Sequence, residues 1–277
     1  MSSAVCNQVD LHYECYGPAD APPLLCVMGL GADCSQWALN VEAFAEAHRL
    51  VIFDNRDVGR SGYAHAPYEI SDMAADALAL ADHLGLGRFH LLGVSMGGAI
   101  SQQIALIAAE RLLTLTICAS WAGGGRWWRQ RQRATWAPRE PLTEPSEEQL
   151  LARAREEAEH LLILTLSAET YEDDRVRERA IKRILASPHP QHPDGFRRQA
   201  AAASRHEVRD RLVEIAVATH VIGAECDVLI PVWKSKEIAA AIVDAELTVI
   251  EGAAHGMNLE HAREFNAAAL GFIERPS

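Results

Sequence analysis

The chain has 277 residues, 49% of them hydrophobic and 23% charged, which suits a globular enzyme with one sizeable core. Its formal net charge of -12 argues against a nucleic-acid partner, because phosphate-backbone binding needs clustered Lys and Arg in a basic field. No stretch approaches the roughly 18 uninterrupted apolar residues of a membrane span, and residues 1–10 lack the basic-then-apolar pattern of a targeting segment. A cytoplasmic protein without a membrane partner is therefore expected, and its oligomeric state is left open.

Residues 9–15 alternate Val9, Leu11, Tyr13 and Cys15 against Asp10, His12 and Glu14, the period of a half-buried strand, here placed at a sheet edge. After Gly17-Pro18 and Pro22-Pro23, the short apolar runs at 24–28 and 50–53 predict buried parallel strands. Ser71 is placed to cap a helix with Met73, Ala77, Leu80 and Leu84 on one face and Gly85 as its stop. A strand at 89–92, a helix at 97–109 and a strand at 113–119 follow, so strand and helix alternate as a parallel sheet requires.

Between 122 and 206 the strand signal disappears and Arg, Glu, Ala and Leu recur with helical spacing, broken at Pro138 to Pro145 and Pro188 to Pro193. This segment is expected to be an inserted helical cap, dividing the chain into a core of 1–121 plus 207–277 and a cap of 122–206. Alternation resumes with a helix at 208–213, a strand at 221–223, a helix at 233–242, a strand at 247–250 and a last helix at 259–273. The fold class is α/β, a mostly parallel twisted sheet with helices on both faces.

The chemistry is concentrated in Gly93-Val94-Ser95-Met96-Gly97, which directly follows a predicted strand and directly precedes a predicted helix. The glycines permit a turn so sharp that a side chain at either would strike backbone, and the strain lifts the Ser95 hydroxyl clear of the sheet. A serine needs a base to become nucleophilic. Of twelve histidines, His255 stands in the small-residue loop Glu251-Gly252-Ala253-Ala254-His255-Gly256 after a strand, free to reach the elbow. The carboxylate that orients it is expected after the preceding strand, in Gly223-Ala224-Glu225-Cys226-Asp227. Asp227 is the choice and Glu225 the alternative. For the oxyanion, the Met96 N–H at the positive end of the following helix is one donor and the Leu30 N–H of Met28-Gly29-Leu30-Gly31 is the other.

These motifs, with Phe53-Asp54-Asn55-Arg56-Asp57-Val58-Gly59-Arg60-Ser61 and the stretch from Gly223 to Pro231, make the chain resemble the α/β-hydrolase family over nearly its whole length. The resemblance is strongest to capped esterases that include aclacinomycin methylesterase and enol-lactonase-like enzymes. It implies the α/β-hydrolase fold, the triad order Ser95, Asp227, His255, and hydrolysis of a small-molecule carboxylic ester or lactone through an acyl-serine. Most of the family has His-Gly where this chain has Met28-Gly29, which leaves the backbone donor in place and removes a usual polar group.

Two other functions compete. A carbon–carbon bond hydrolase of a vinylogous diketone uses the same triad, but generally shows Asn before the nucleophile and Trp after the catalytic histidine, where this chain has Val94 and Gly256. A ligand receptor on the same fold would normally have lost the triad.

Asp54, Arg56, Asp57 and Arg60 are read as ion pairs that pin a loop. Trp121, Trp127 and Trp128 at the start of the cap either wall the site or fasten cap to core. His189-Pro190-Gln191-His192 lacks the neighbours of a metal site, and no metal is expected. Neither a phosphate loop nor a Gly-x-Gly-x-x-Gly fingerprint occurs, so no cofactor is implied. Six widely spaced cysteines read as reduced thiols.

Overall fold

A computed structural model describes residues 2–136 and 145–275, with the Trp127 side chain outside the described residues. The chain opens with a hairpin of β1 (Ser2–Cys6) and β2 (Val9–Tyr16). Asn7 and Gln8 turn it with φ of 46° and 68°, the left-handed pair that matches the twist of the flanking strands. The strand at 9–15 is therefore not an edge: β1 covers it. Ser2-Ser3-Ala4-Val5-Cys6 has too little apolar alternation to announce itself.

Next come β3 (Pro23–Val27), α1 (Val41–Ala47), β4 (Arg49–Phe53), α2 (Ile70–His83), β5 (Phe89–Val94), α3 (Met96–Ile107) and β6 (Leu112–Cys118). Helix α2 starts one residue before Ser71. Its cap is Glu69, whose side chain and that of Asp72 bond each other's backbone N–H in a capping box. Gly85 ends it at φ 65°, the left-handed stop expected there. Among the described residues, five helices run between β6 and the next strand: α4 (Gly125–Thr135), α5 (Glu147–Thr165), α6 (Ala168–Glu172), α7 (Asp174–Leu185) and α8 (Pro193–Arg205). Then follow a 3₁₀ helix at Arg209–Glu214 where a helix is expected, β7 (Thr219–Ala224), α9 (Trp233–Ala241), β8 (Glu246–Ile250), α10 (Met257–Glu260) and α11 (Ala262–Ile273). The expected last helix is thus two, parted at His261.

The eight strands form one sheet ordered β1-β2-β4-β3-β5-β6-β7-β8, parallel from β4 onward and antiparallel at β1 and β2. Period-two alternation sends Leu25, Val27, Val51, Phe53, Phe89 and Leu91 into one core with α2, α3 and α9. Leu24, Cys26, Leu50, Ile52, Leu92 and Val94 face the other way, against α1 and α11. Buried on both sides, these strands read as unbroken apolar runs. A separate small cluster, Ala158, Leu162 and Ile181, joins α5 to α7. Among the described residues, no helix is long and apolar enough to cross a membrane.

His90, His206 and His220 are buried, and burial pulls each imidazole from 6.5 down to about 4. The unfolded chain takes up protons in that interval that the folded chain refuses, so their stabilisation is complete above pH 6.5 and is lost as pH falls towards 4. Calorimetry should show the unfolding midpoint falling across that window. A midpoint that stays level would contradict it.

Candidate active site

Ser95 lies between β5 and α3 with φ 58° and ψ -118°, a backbone conformation that costs a non-glycine residue about 1–3 kcal/mol. The surroundings hold it there. Its N–H donates to Cys118 O at 2.8 Å, and its carbonyl accepts from Gly98 N and from the Ser120 hydroxyl at 2.7 Å. A Cβ on Gly93 would come within 2.2 Å of Gly97 O, and one on Gly97 within 2.1 Å of Val27 O, so neither position admits a side chain. The loop after β3 passes beside the serine: a Cβ on Gly29 would stand 3.5 Å from Ser95 Oγ. Leu30 and Met96 keep backbone N–H groups that donate to no acceptor among the described residues.

Asp227 and His255 emerge from the loops after β7 and β8, parallel neighbours that bring the two loops together. His255 Nδ1 lies 2.7 Å from Asp227 Oδ2. Asp227 Oδ1 accepts the N–H groups of Leu229 and Ile230 at 2.8 and 2.7 Å. A carboxylate only accepts, so Nδ1 carries the hydrogen of this bond and Nε2 is the nitrogen turned away from Asp227. Both residues are buried. Glu225 is exposed and its carboxylate accepts from Gly252 N at 2.9 Å, so it serves a turn of the His255 loop and not the imidazole.

Several residues that hold this arrangement carry no sequence signal. Ala254 N, before the histidine, reaches Glu260 Oε2 at 3.3 Å, and Gly256 N, after it, donates to Thr165 O at 2.7 Å, at the end of α5. Glu260 is itself held by the Ser167 hydroxyl. In the loop after β3, Gly31 N donates to Gln199 of α8 at 3.0 Å. Trp128 of α4 and Trp121 pack with ring centres 6.2 Å apart, and both are buried. The buried Lys234 ammonium stands 5.2 Å from the Trp128 ring and donates to Gly123 O at 2.6 Å.

The charges after β4 all find partners. Arg56 clasps Asp76 at 2.5 and 2.6 Å, and Asp57 takes both arms of Arg198 at 2.8 and 2.7 Å. His12, Cys34 and Asp54 bring donor atoms within 4.8 Å of one another, the one such group among the described residues. A cation is already in place there: Arg60 donates to Cys34 Sγ at 3.1 Å and pairs with Asp54 and Glu14. Burial and the Asp54 charge push the Cys34 thiol far up, which opposes the thiolate a metal would need.

A strained serine between strand and helix, with a histidine–carboxylate pair on two later loops of a parallel sheet, defines a class of hydrolase. The comparisons agree. A family model described as alpha/beta hydrolase fold matches residues 22–262, and the chain belongs to that family as a hydrolytic enzyme. A Rhizobium rhizogenes protein named "Putative carbamate hydrolase RutD" is 30% identical over 96% of this chain and 99% of its own. The 3-oxoadipate enol-lactonase 2 of Acinetobacter baylyi is 26% identical over 97% of this chain and 95% of its own. The crystal structure of the enol-lactonase from Burkholderia xenovorans superimposes with a TM-score of 0.83 at 25% identity, covering 99% of this chain and 100% of that one.

Truncating Trp128 to Ala removes a buried indole from its packing against Trp121 and Lys234, a change that costs roughly 3–5 kcal/mol. Denaturant unfolding should read a loss of that order. A variant as stable as the parent would show that the fold does not depend on this ring.

Proposed function

We propose that the protein hydrolyses a carboxylic ester or lactone through an acyl intermediate on Ser95. The observation that carries this reading is the 2.7 Å pairing of His255 Nδ1 with an Asp227 whose other oxygen is already held by two backbone N–H groups. That pairing orients the imidazole with Nε2 as the base. In the proposed mechanism, Nε2 takes the Ser95 hydroxyl proton as Oγ attacks the acyl carbon. The carbonyl oxygen becomes an oxyanion, which the Leu30 and Met96 N–H groups receive. Collapse of the intermediate breaks the acyl–oxygen bond, and the leaving oxygen takes the proton from His255. Water then attacks the acyl-serine by the same proton route, releasing the acid and restoring Ser95.

Relatives named for an enol-lactone support a cyclic or enol ester as substrate class. A carbamate, in the name of the Rhizobium relative, presents the same kind of acyl carbon and belongs in the substrate panel. Cleavage of a carbon–carbon bond is the weaker reading, because Val94 and Gly256 stand where such hydrolases carry Asn and Trp.

The proposal includes a core of 1–121 and 207–277 with a cap of 122–206. Trp121 and Trp128 form its apolar wall above the acyl site, supported by their sharing one apolar cluster with Leu30 and Met96. A reducing, cytoplasmic setting is supported by six cysteines that are all free.

A fluorophosphonate should label one residue, Ser95, and abolish turnover of aryl esters and enol-lactones together. Peptide mass spectrometry that finds the label elsewhere would overturn the assignment. Asp227→Asn should lower kcat by roughly 10⁴-fold by holding the wrong imidazole tautomer, while Glu225→Gln should change it little. The reverse order of effects would move the acid to Glu225.

A further inference from the structure

A side chain of α4 reaches the Asp227 loop. Arg131, on α4, donates from Nη1 to Leu229 O at 2.7 Å and from Nη2 to Val228 O, while its guanidinium carbon stands 5.5 Å from the Trp128 ring centre. These carbonyls belong to the same two peptide units whose N–H groups bond Asp227. The Val228 carbonyl and the Leu229 N–H are opposite ends of one planar trans peptide, and so are the Leu229 carbonyl and the Ile230 N–H. Two consecutive peptides are thus held between a guanidinium on their oxygen side and a carboxylate on their nitrogen side. Hydrogen bonds in such a chain polarise one another, so the cation strengthens both N–H bonds to Asp227 Oδ1.

We infer that Arg131 is a positioning residue of the cap that sets the Asp227 carboxylate for His255 through the 228–230 backbone; this rests on the proposed roles of Asp227 and His255. It touches neither the imidazole nor the acyl site. Two N–H bonds on Oδ1 fix the rotation of the carboxylate and leave Oδ2 for Nδ1. Val228 is exposed, so without the cap the outer side of this loop faces water, and the peptides lose the group that orients them. The other charged groups around the pair are committed elsewhere. Lys234 is held by Gly123 O and Glu237, Glu260 by Ala254 N and Ser167, and Glu225 by Gly252 N. Arg serves better than Lys because two adjacent carbonyls match its rigid fork and a single ammonium does not.

The test is a double-mutant cycle on the full-length enzyme, with p-nitrophenyl butyrate turnover and the rate of fluorophosphonate labelling as readouts. Arg131→Ala should lower kcat by about tenfold or more with KM little changed, since a small misplacement of a catalytic group is costly. Arg131→Lys should recover part of that loss. In an Asp227→Asn background, Arg131→Ala should cause no further loss, because the residue it acts through is already disabled. Equal factors in both backgrounds would overturn the inference, as would a rise in KM alone. Should Arg131→Ala melt below the assay temperature, Arg131→Gln, which keeps donors but no charge or fork, carries the same cycle. Ser95→Ala separates the two levels: retained turnover there refutes the serine reading itself, whereas an inactive Ser95→Ala with additive Arg131 effects refutes only the role of Arg131.

Discussion

The structure turns on one crowded junction, where β5 ends and α3 begins. A non-glycine residue is held at φ 58° there, and the space around it is gone: Gly93 faces Gly97 O, Gly97 faces Val27 O, and a Cβ on Gly98 would come within 2.6 Å of Ser120. Closeness of helix to sheet is what produces the strain, and it also aims the first N–H of α3 and the loop after β3 at the same point. Such strain persists only because neighbours over-determine it, and Cys118 O and the Ser120 hydroxyl supply that restraint from β6.

The parallel sheet explains why the remaining groups meet here. β3, β5, β7 and β8 run in one direction, so the loops that follow them share an end, and the site is a meeting of loops on a rigid sheet. Loops need restraint, and the cap provides some to each. Gln199 holds Gly31 N after β3, Arg131 holds Val228 and Leu229 after β7, and Thr165 O holds Gly256 N after β8. The three contacts come from three different cap helices.

The family and the elements that carry Ser95, Asp227 and His255 could be read from the sequence because each has a local cause. A strand-to-helix turn needs its glycines within two residues of the serine, and loops after strands are marked by small residues. Short apolar runs bounded by turn residues announced β3 and β4 for the same reason. The hairpin of β1 escaped notice because Asn7-Gln8 lacks the glycine usual in such turns, and α1 because its only buried side chain is Phe44. Ser120, Gln199, Glu260 and Arg131 were illegible for a deeper reason. Their partners lie elsewhere in the chain, 98 residues away for Arg131 and Leu229 and 168 for Gln199 and Gly31, and no local pattern records such a contact. Trp121 and Trp128 were visible as aromatic and in place, but burial was needed to show that they pack on each other.

The segment of five helices is also tied at its base. At the hinge, Val208 N donates to Ala122 O at 2.8 Å, tying the exit of the cap to its entrance. Gly123, at φ 126°, sits so near Glu207 that a Cβ would stand 1.9 Å from its carboxylate, and Gly124 N donates to that same group. Lys234 closes the knot by reaching Gly123 O between the Trp128 and Trp233 rings. The bonds from Val208 and Lys234 are made by buried residues, and together these contacts tie residues 122–124 to 207–208 and Lys234. The contacts to the catalytic loops are different: each is one side chain or one carbonyl, and those from Arg131 and Thr165 lie towards the surface. The segment that leads into and out of helices α4 to α8 is thus tied at one place by several bonds that share residues, whereas each loop contact rests on a single group.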